Sequence, residues 1–367
     1  LDVLKRSGMR VVWITVFEAV LASVLVFVLT YFVLRLDLAF SVVLAALASA
    51  TAPASTMMTI RQTGAKGEFV DTLLQVVALD DVVGLVLYSV AISVALSSLN
   101  GAGGFTFETL GKPILVNLAV LLLGGVFGFA MKLLMPKKRS TDNKLIISVA
   151  LLFAFCGVCA ALDVSPLLGC MSMGTVYTNI AEDDKLFKQL AYFSPPILLL
   201  FFVRSGMSFR LDALFSAAGA LDGVPLIAIG VSYFLVRILG KYAGAWLGCL
   251  LTKRPKALRR YLGLALIPQA GVAIGLAALG ARTLGGAMGS DLQTIILASS
   301  VLYELMGPGC AKLALYLSRS YSTKLEDVAV VPEVNERGER KSDAQLLIER
   351  IGKIRQELPK REPDMSE

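Results

Sequence analysis

The sequence predicts an all-α polytopic membrane fold built from inverted-topology repeats with two discontinuous crossing helices. Three observations predict it: apolar runs of membrane-spanning length, basic loops that alternate along the chain, and a proline break in each of two spans. Of the 367 residues, 56% are hydrophobic and 17% are charged, and the mean hydropathy is +0.72. Soluble domains are about 45–50% apolar and about 25% charged. Segments in lipid account for the excess, because a helix crossing the hydrocarbon core needs about 20 consecutive apolar residues.

About ten apolar segments can be drawn: roughly 11–34, 38–60, 69–97, 113–134, 143–162, 165–179, 189–208, 223–251, 259–283 and 292–318, the sixth of them short. Beyond about 320 the composition turns polar, with Glu336, Arg337, Glu339, Arg340 and Lys341 followed by Arg350, Lys353, Arg355, Lys360 and Arg361. The chain therefore divides into a transmembrane part, 1–320, and a cytoplasmic charged tail, 321–367.

The basic residues fall in alternate loops. Lys5, Arg6 and Arg10 precede the first span, Arg61 and Lys66 follow the second, and Lys132, Lys137, Lys138 and Arg139 follow the fourth. Lys185 and Lys188 follow the sixth, and Lys253, Arg254, Lys256, Arg259 and Arg260 follow the eighth. The intervening loops, such as 97–106 and 284–290, are nearly free of them. By the positive-inside rule both ends of the chain are expected in the cytoplasm. The same distribution assigns the net charge of +7 to loops at a bilayer and excludes nucleic acid as a partner. The opening Leu-Asp-Val-Leu-Lys-Arg-Ser-Gly has no signal-peptide cleavage site and reads as an internal loop, so further helices are expected upstream of residue 1.

Neither a metal centre nor a cofactor motif is read. The five cysteines lie in apolar runs, and the single C-x-x-C, Cys156 and Cys159, has no second pair and no histidine to complete a zinc site. They are read as packing residues. With no histidine in the chain, a transported proton must ride on a carboxylate, a lysine or water.

Ionisable residues inside a span are costly and mark function. The candidates are Glu18, Asp80, Asp81, Arg204, Arg237, Lys241 and Glu304. Asp80 and Asp81 stand mid-span with apolar helix on either side, and two adjacent carboxylates at that depth have no packing use. Consecutive helical residues point about 100° apart. One aspartate can thus face a water-filled cavity while the other turns to a neighbouring helix. Lys241 lies near the middle of the eighth span, where a buried ammonium requires a carboxylate partner. The aspartate pair is the partner expected at its depth. Arg237, one turn away, competes for the same role, or else snorkels or pairs with Glu304. Arg204 and Glu18 are read as structural or interfacial, nearer to span ends.

Two spans are interrupted. Pro53 in Thr51-Ala52-Pro53-Ala54-Ser55-Thr56 breaks the second, and Ile267-Pro268-Gln269-Ala270-Gly271 breaks the ninth. Proline removes a donor and clashes with the preceding turn, which frees backbone carbonyls. In a bilayer such a break persists only where it is buried in protein or lines a cavity. By the loop topology the two broken spans run in opposite directions, as inverted repeats produce, and half-helix ends meeting at the midplane build a transporter site. These features point to a transporter. An intramembrane aspartyl protease would need its carboxylates on separate, facing helices. A sodium-coupled symporter with inverted repeats is the competing transporter reading. A non-transporting ion sensor or structural membrane protein is the third.

The strings Thr51-Ala52-Pro53-Ala54 and Ala78-Leu79-Asp80-Asp81-Val82 resemble the two-aspartate, electrogenic bacterial-type branch of the monovalent cation/proton antiporter superfamily, the sodium/hydrogen exchanger family. So do Pro195-Pro196-Ile197, Gly206-Met207-Ser208, Gly240-Lys241-x-x-Gly244-Ala245 and Pro268-Gln269-Ala270-Gly271, the resemblance covering roughly residues 1–320. It implies a homodimer in which a six-helix core moves like an elevator against a dimerisation domain. It also implies about thirteen helices, so that about three precede residue 1, and with the bare loops it suits a prokaryotic plasma membrane. By position, Asp81 matches the aspartate that binds Na+, K+ or Li+ and proton, a transient metal ligand. Asp80 matches the partner of the later basic residue, here Lys241, and Thr51 lines the site. The resemblance leads to the expectation that Asp81 holds either a cation or a proton. Cation binding would loosen the Asp80–Lys241 pair and let Lys241 shed a proton.

Overall fold

Almost every apolar run becomes a helix, and what ends each helix is legible in its caps. The computed structural model describes residues 8–99, 107–136, 139–162, 164–181, 184–207, 209, 220–221 and 223–321. The charged tail expected after 320 lies outside the described residues beyond Tyr321, as do the loop residues Lys5, Arg6, Lys137 and Lys138.

Helix α1 (Met9–Phe27) runs on through a π-helical stretch, Val28–Val33. Helix α2 (Leu38–Leu47) starts where Asp37 Oδ1 accepts from Ala39 N at 2.8 Å and Phe40 N at 3.3 Å, filling two of the orphan donors of a first turn. Helix α3 (Pro53–Thr63) has proline at its first position, where a missing N–H costs nothing, and it stops at Gly64 with φ 64°. The chain continues as α4 (Glu68–Leu99), α5 (Phe107–Leu134), α6 (Thr141–Ala161), α7 (Leu167–Ala181) and α8 (Asp184–Met207). A two-residue antiparallel ribbon, β1 (Ala220–Leu221) with β2 (Val224–Pro225), leads into α9 (Leu226–Leu251). The last helices are α10 (Lys256–Ala265), α11 (Gly271–Leu284) and α12 (Gly286–Leu317).

The ten apolar segments coincide with these helices. Eight correspond to one helix each, and the two with proline breaks correspond to the pairs α2/α3 and α10/α11. Among the described residues, six helices are long and apolar enough to cross a membrane by themselves: Met9–Val33, Glu68–Leu99, Ile114–Leu134, Asp142–Ala161, Leu226–Leu251 and Gly286–Leu317.

The breaks divide the core into two layers. One contains Val26 of α1, Phe40 and Leu44 of α2, Leu85 and Tyr88 of α4, Ile229 and Tyr233 of α9, Ala273 and Leu276 of α11, and Ile295 and Tyr303 of α12. The other contains Val11 and Ile14 of α1, Ile60 of α3, Leu73 and Val77 of α4, Ala245 and Cys249 of α9, Leu258 and Leu262 of α10, and Ala311 and Leu315 of α12. The first broken pair thus passes from one layer to the other, and the second pair passes back. The two interrupted helices are antiparallel, and their breaks meet: Ala52 N donates to Pro268 O at 2.9 Å.

Helices α5–α8 pack through smaller clusters of their own, around Met131, Met173 and Tyr177 and around Val120, Phe155 and Cys159. Glycines bring α5 and α7 together, since a Cβ on Gly124 would lie 2.1 Å from Gly169 O and one on Gly128 2.5 Å from Met173 O. Close approach through small residues is how helices associate where lipid gives no hydrophobic drive.

Candidate ion-binding site

Between the two core layers lies a thin polar stratum, and glycines set how closely its walls approach. Helix α9 presents Gly240, Gly244 and Gly248 to α1. A Cβ at these positions would come within 2.6 Å of Ala22 Cα, 2.5 Å of Glu18 Cα and 2.8 Å of Ile14 Cα. This ridge lays Lys241 of α9 against Glu18 of α1. On α4, Gly84 lets the helix press on the first break, where a Cβ would lie 2.9 Å from Ser49 Oγ. Asp80, one turn earlier, is thereby held beside residues 49–51.

Lys241 is the centre of the arrangement. Its Nζ lies 2.8 Å from Glu18 Oε2 and 2.9 Å from Asp80 Oδ2. It also donates to Thr51 Oγ1 at 2.9 Å and to the carbonyl of Ser49. Glu18, Asp80 and Lys241 have no solvent exposure, and Thr51 has 1%. One ammonium therefore serves two wholly buried carboxylates. Among the described residues, no hydrogen-bond donor reaches Asp80 Oδ1, Asp81 Oδ1 or Glu18 Oε1. Asp81 is partly exposed whereas Asp80 is fully buried, so the adjacent carboxylates occupy different surroundings. Carboxylate oxygens without a donor can serve as ligands for a hard cation or as acceptors for a proton.

Arg237, one turn before Lys241, binds no carboxylate in this stratum. Its Nε donates to Ala48 O at 3.0 Å, its Nη2 to Ala50 O at 2.6 Å and its Nη1 to Ile267 O at 2.8 Å. Ala48 caps the C-terminus of α2, and Ala50 and Ile267 lie in the breaks just past the ends of α2 and α10, where a helix end carries partial negative charge and the interrupted backbone leaves acceptors unpaired. The guanidinium also stands over the Tyr303 ring, 4.5 Å from its centroid, while Tyr303 Oη donates to Phe234 O at 3.0 Å. Gln269 works in the same way from the second break. Its Nε2 donates to Leu47 O at 2.7 Å and its Oε1 accepts from Tyr233 Oη at 3.2 Å.

Several sequence expectations change here. Glu18, read as near a span end, lies in the polar stratum and shares Lys241, so the aspartates are not the only carboxylates at that depth. The signal for it was the glycine ridge of α9, which presses on Glu18 itself. Arg237 does not turn to Glu304, which is exposed on α12. Arg204 is exposed on α8. Pro53 and Pro268 sit at the breaks, Ser55 in the first turn of α3 and Gly271 at the first position of α11. Among the described residues, no cluster of metal-ligating side chains is found.

Antiparallel interrupted helices that meet at a buried charged cluster define a membrane transport protein. The family model for transmembrane sodium/hydrogen exchangers matches residues 1–311, and the chain belongs to that family. Its fold is similar to that of the sodium proton antiporter MjNhaP1 from Methanocaldococcus jannaschii at pH 8, with a TM-score of 0.62 and 19% sequence identity over 86% of this chain and 80% of that one. No curated protein matches the chain.

Proposed function

We propose that the protein exchanges a monovalent cation, Na+ or K+, for protons across the plasma membrane by alternating access, as a homodimer with the basic loops on the cytoplasmic side. Family membership supports cation/proton exchange. One observation carries the site assignment: a wholly buried ammonium, Lys241, lies 2.9 Å from Asp80, with Asp81 next in the chain and partly exposed. A low-dielectric site disfavours uncompensated charge. Asp81 then holds either a cation or a proton, and the two compete for the same oxygens. Cation binding at Asp81 loosens the Asp80–Lys241 pair, because the aspartates are adjacent and the arriving charge offsets the lysine's. Thr51, buried and bonded to Lys241, lines the site from the first break.

The test uses the full-length protein in proteoliposomes with an imposed pH gradient and a pH-sensitive dye. Addition of Na+, K+ or Li+ should collapse the gradient for the transported ion, and Asp81→Asn should abolish the response while remaining folded. If no cation collapses the gradient in folded, oriented protein, antiport is refuted and sodium-driven solute uptake becomes the reading to pursue. If Asp81→Asn transports as well as the native protein, the assignment of Asp81 is wrong.

A further inference from the structure

Lys241 has more carboxylate than a single ion pair requires. Glu18 Oε2 lies as close to Nζ as Asp80 Oδ2 does, 2.8 Å against 2.9 Å, and all three side chains are fully buried. The two contacts are built differently. Glu18 is held from behind by the glycine ridge, since the backbone of residue 18 would be 2.5 Å from a Cβ on Gly244, three residues from Lys241. Helices α1 and α9 are thus in backbone contact at this level, and the Glu18–Lys241 pair has no slack. Asp80 stands on α4, next in sequence to the residue proposed to take the cation.

We propose that Glu18 is the retaining counter-ion of Lys241, and that by dividing the lysine's charge with Asp80 it sets the affinity of the site for its cation. The inference rests on the cation-exchange reading above. When a cation draws on the aspartates, the ammonium keeps a partner at hydrogen-bonding distance and stays out of the cavity. Without Glu18 the whole ammonium charge falls on Asp80. The Asp80–Lys241 pair tightens, a positive charge stands uncompensated beside the site, and a cation must compete against both. Buried pairs respond strongly to the loss of one partner, because the remaining charge has no water to turn to. Glu18 is a positioning residue in this account, because it acts through Lys241 and touches no transported ion.

The experiment measures the cation dependence of exchange in proteoliposomes for the native protein, Glu18→Gln and Glu18→Asp, with each variant's folded amount fixed by size-exclusion chromatography. Glu18→Gln should raise the cation KM about tenfold or more, the size expected for losing a buried charge partner, with a smaller change in maximal rate. Glu18→Asp keeps the charge one methylene further away and should give an intermediate KM. A purely structural glutamate would lower the amount of folded protein or the maximal rate at unchanged KM, and that outcome overturns the proposal. If Glu18→Gln does not fold, Glu18→Asp decides: an unchanged KM overturns the proposal and a raised one supports it. Failure of the native protein to exchange any cation would instead refute the proposed function, so the two failures are told apart.

Discussion

Gly244→Ala places a methyl group where the structure has no room for one. The added Cβ would lie 2.5 Å from Glu18 Cα and 2.7 Å from Phe17 O, both backbone-anchored atoms that cannot swing aside as a side-chain tip would. Carbon atoms in contact sit about 3.5–4.0 Å apart, so α1 must retreat from α9 by about 1 Å. The first cost is overpacking, about 1–3 kcal/mol. The second falls on the ion pair: a retreat of about 1 Å takes Glu18 Oε2 from 2.8 Å to beyond hydrogen-bonding distance of Lys241 Nζ. Gly275→Ala is the control, because a Cβ there meets nothing within 4 Å and alanine favours a helix over glycine by about 1 kcal/mol. The assay is thermal unfolding of purified protein in detergent, followed by cation-dependent exchange in proteoliposomes. Gly244→Ala should unfold several degrees lower and show a raised cation KM, while Gly275→Ala should unfold at or above the native temperature. Equal unfolding temperatures for Gly244→Ala and the native protein would refute the close packing of α1 on α9 and the argument that this contact holds Glu18 in place.

The remaining predictions concern the charges of the polar stratum. Lys241→Met should destabilise the protein by about 3–5 kcal/mol, because Glu18 and Asp80 would face one another with no cation between them; adding Glu18→Gln to it should recover part of that loss in the same thermal assay. Arg237→Lys should lower the unfolding temperature despite keeping the charge. A lysine cannot direct three N–H groups in a planar fork to Ala48, Ala50 and Ile267, and each buried carbonyl left unpaired costs about 1–3 kcal/mol. Gly307→Ala should impair exchange more than stability, because its Cβ would press to within 2.7 Å of Pro268 Cγ at the second break.

Much of the architecture was legible because its signals are local. Runs of apolar residues gave the helices, and Pro53 and Pro268 interrupt two of those runs where proline cannot continue a helix. Asp80, Asp81 and Lys241 were conspicuous as charges deep in spans. Glu18 is as buried as Asp80 and Lys241, yet it is only the tenth of the 25 residues from Met9 to Val33, so counting along the span set it toward one end. What brings it to Lys241 is the contact of α1 with the glycines of α9, which spacing along α1 does not encode. Arg237 was legible as an intramembrane charge but its partners were not, because they are backbone carbonyls 189, 187 and 30 residues away in sequence. No side-chain type announces a carbonyl left free by a helix ending. Gly240 and Gly244 of the ridge stood in a string that carries the family resemblance, but which helix they faced depended on tertiary packing.

The guanidinium of Arg237 gathers the ends of two helices from opposite halves of the chain, two carbonyls from the first break and one from the second. Gln269 adds a fourth contact between the breaks, and the Ala52 amide a fifth. A door that opened by parting the interrupted helices would strand every one of these groups in a place without water. The crossing is therefore a rivet and not a hinge. In the exchange proposed above, access to the two sides of the membrane would then change by carrying the riveted crossing as one piece past its surroundings, or by moving the surroundings past it.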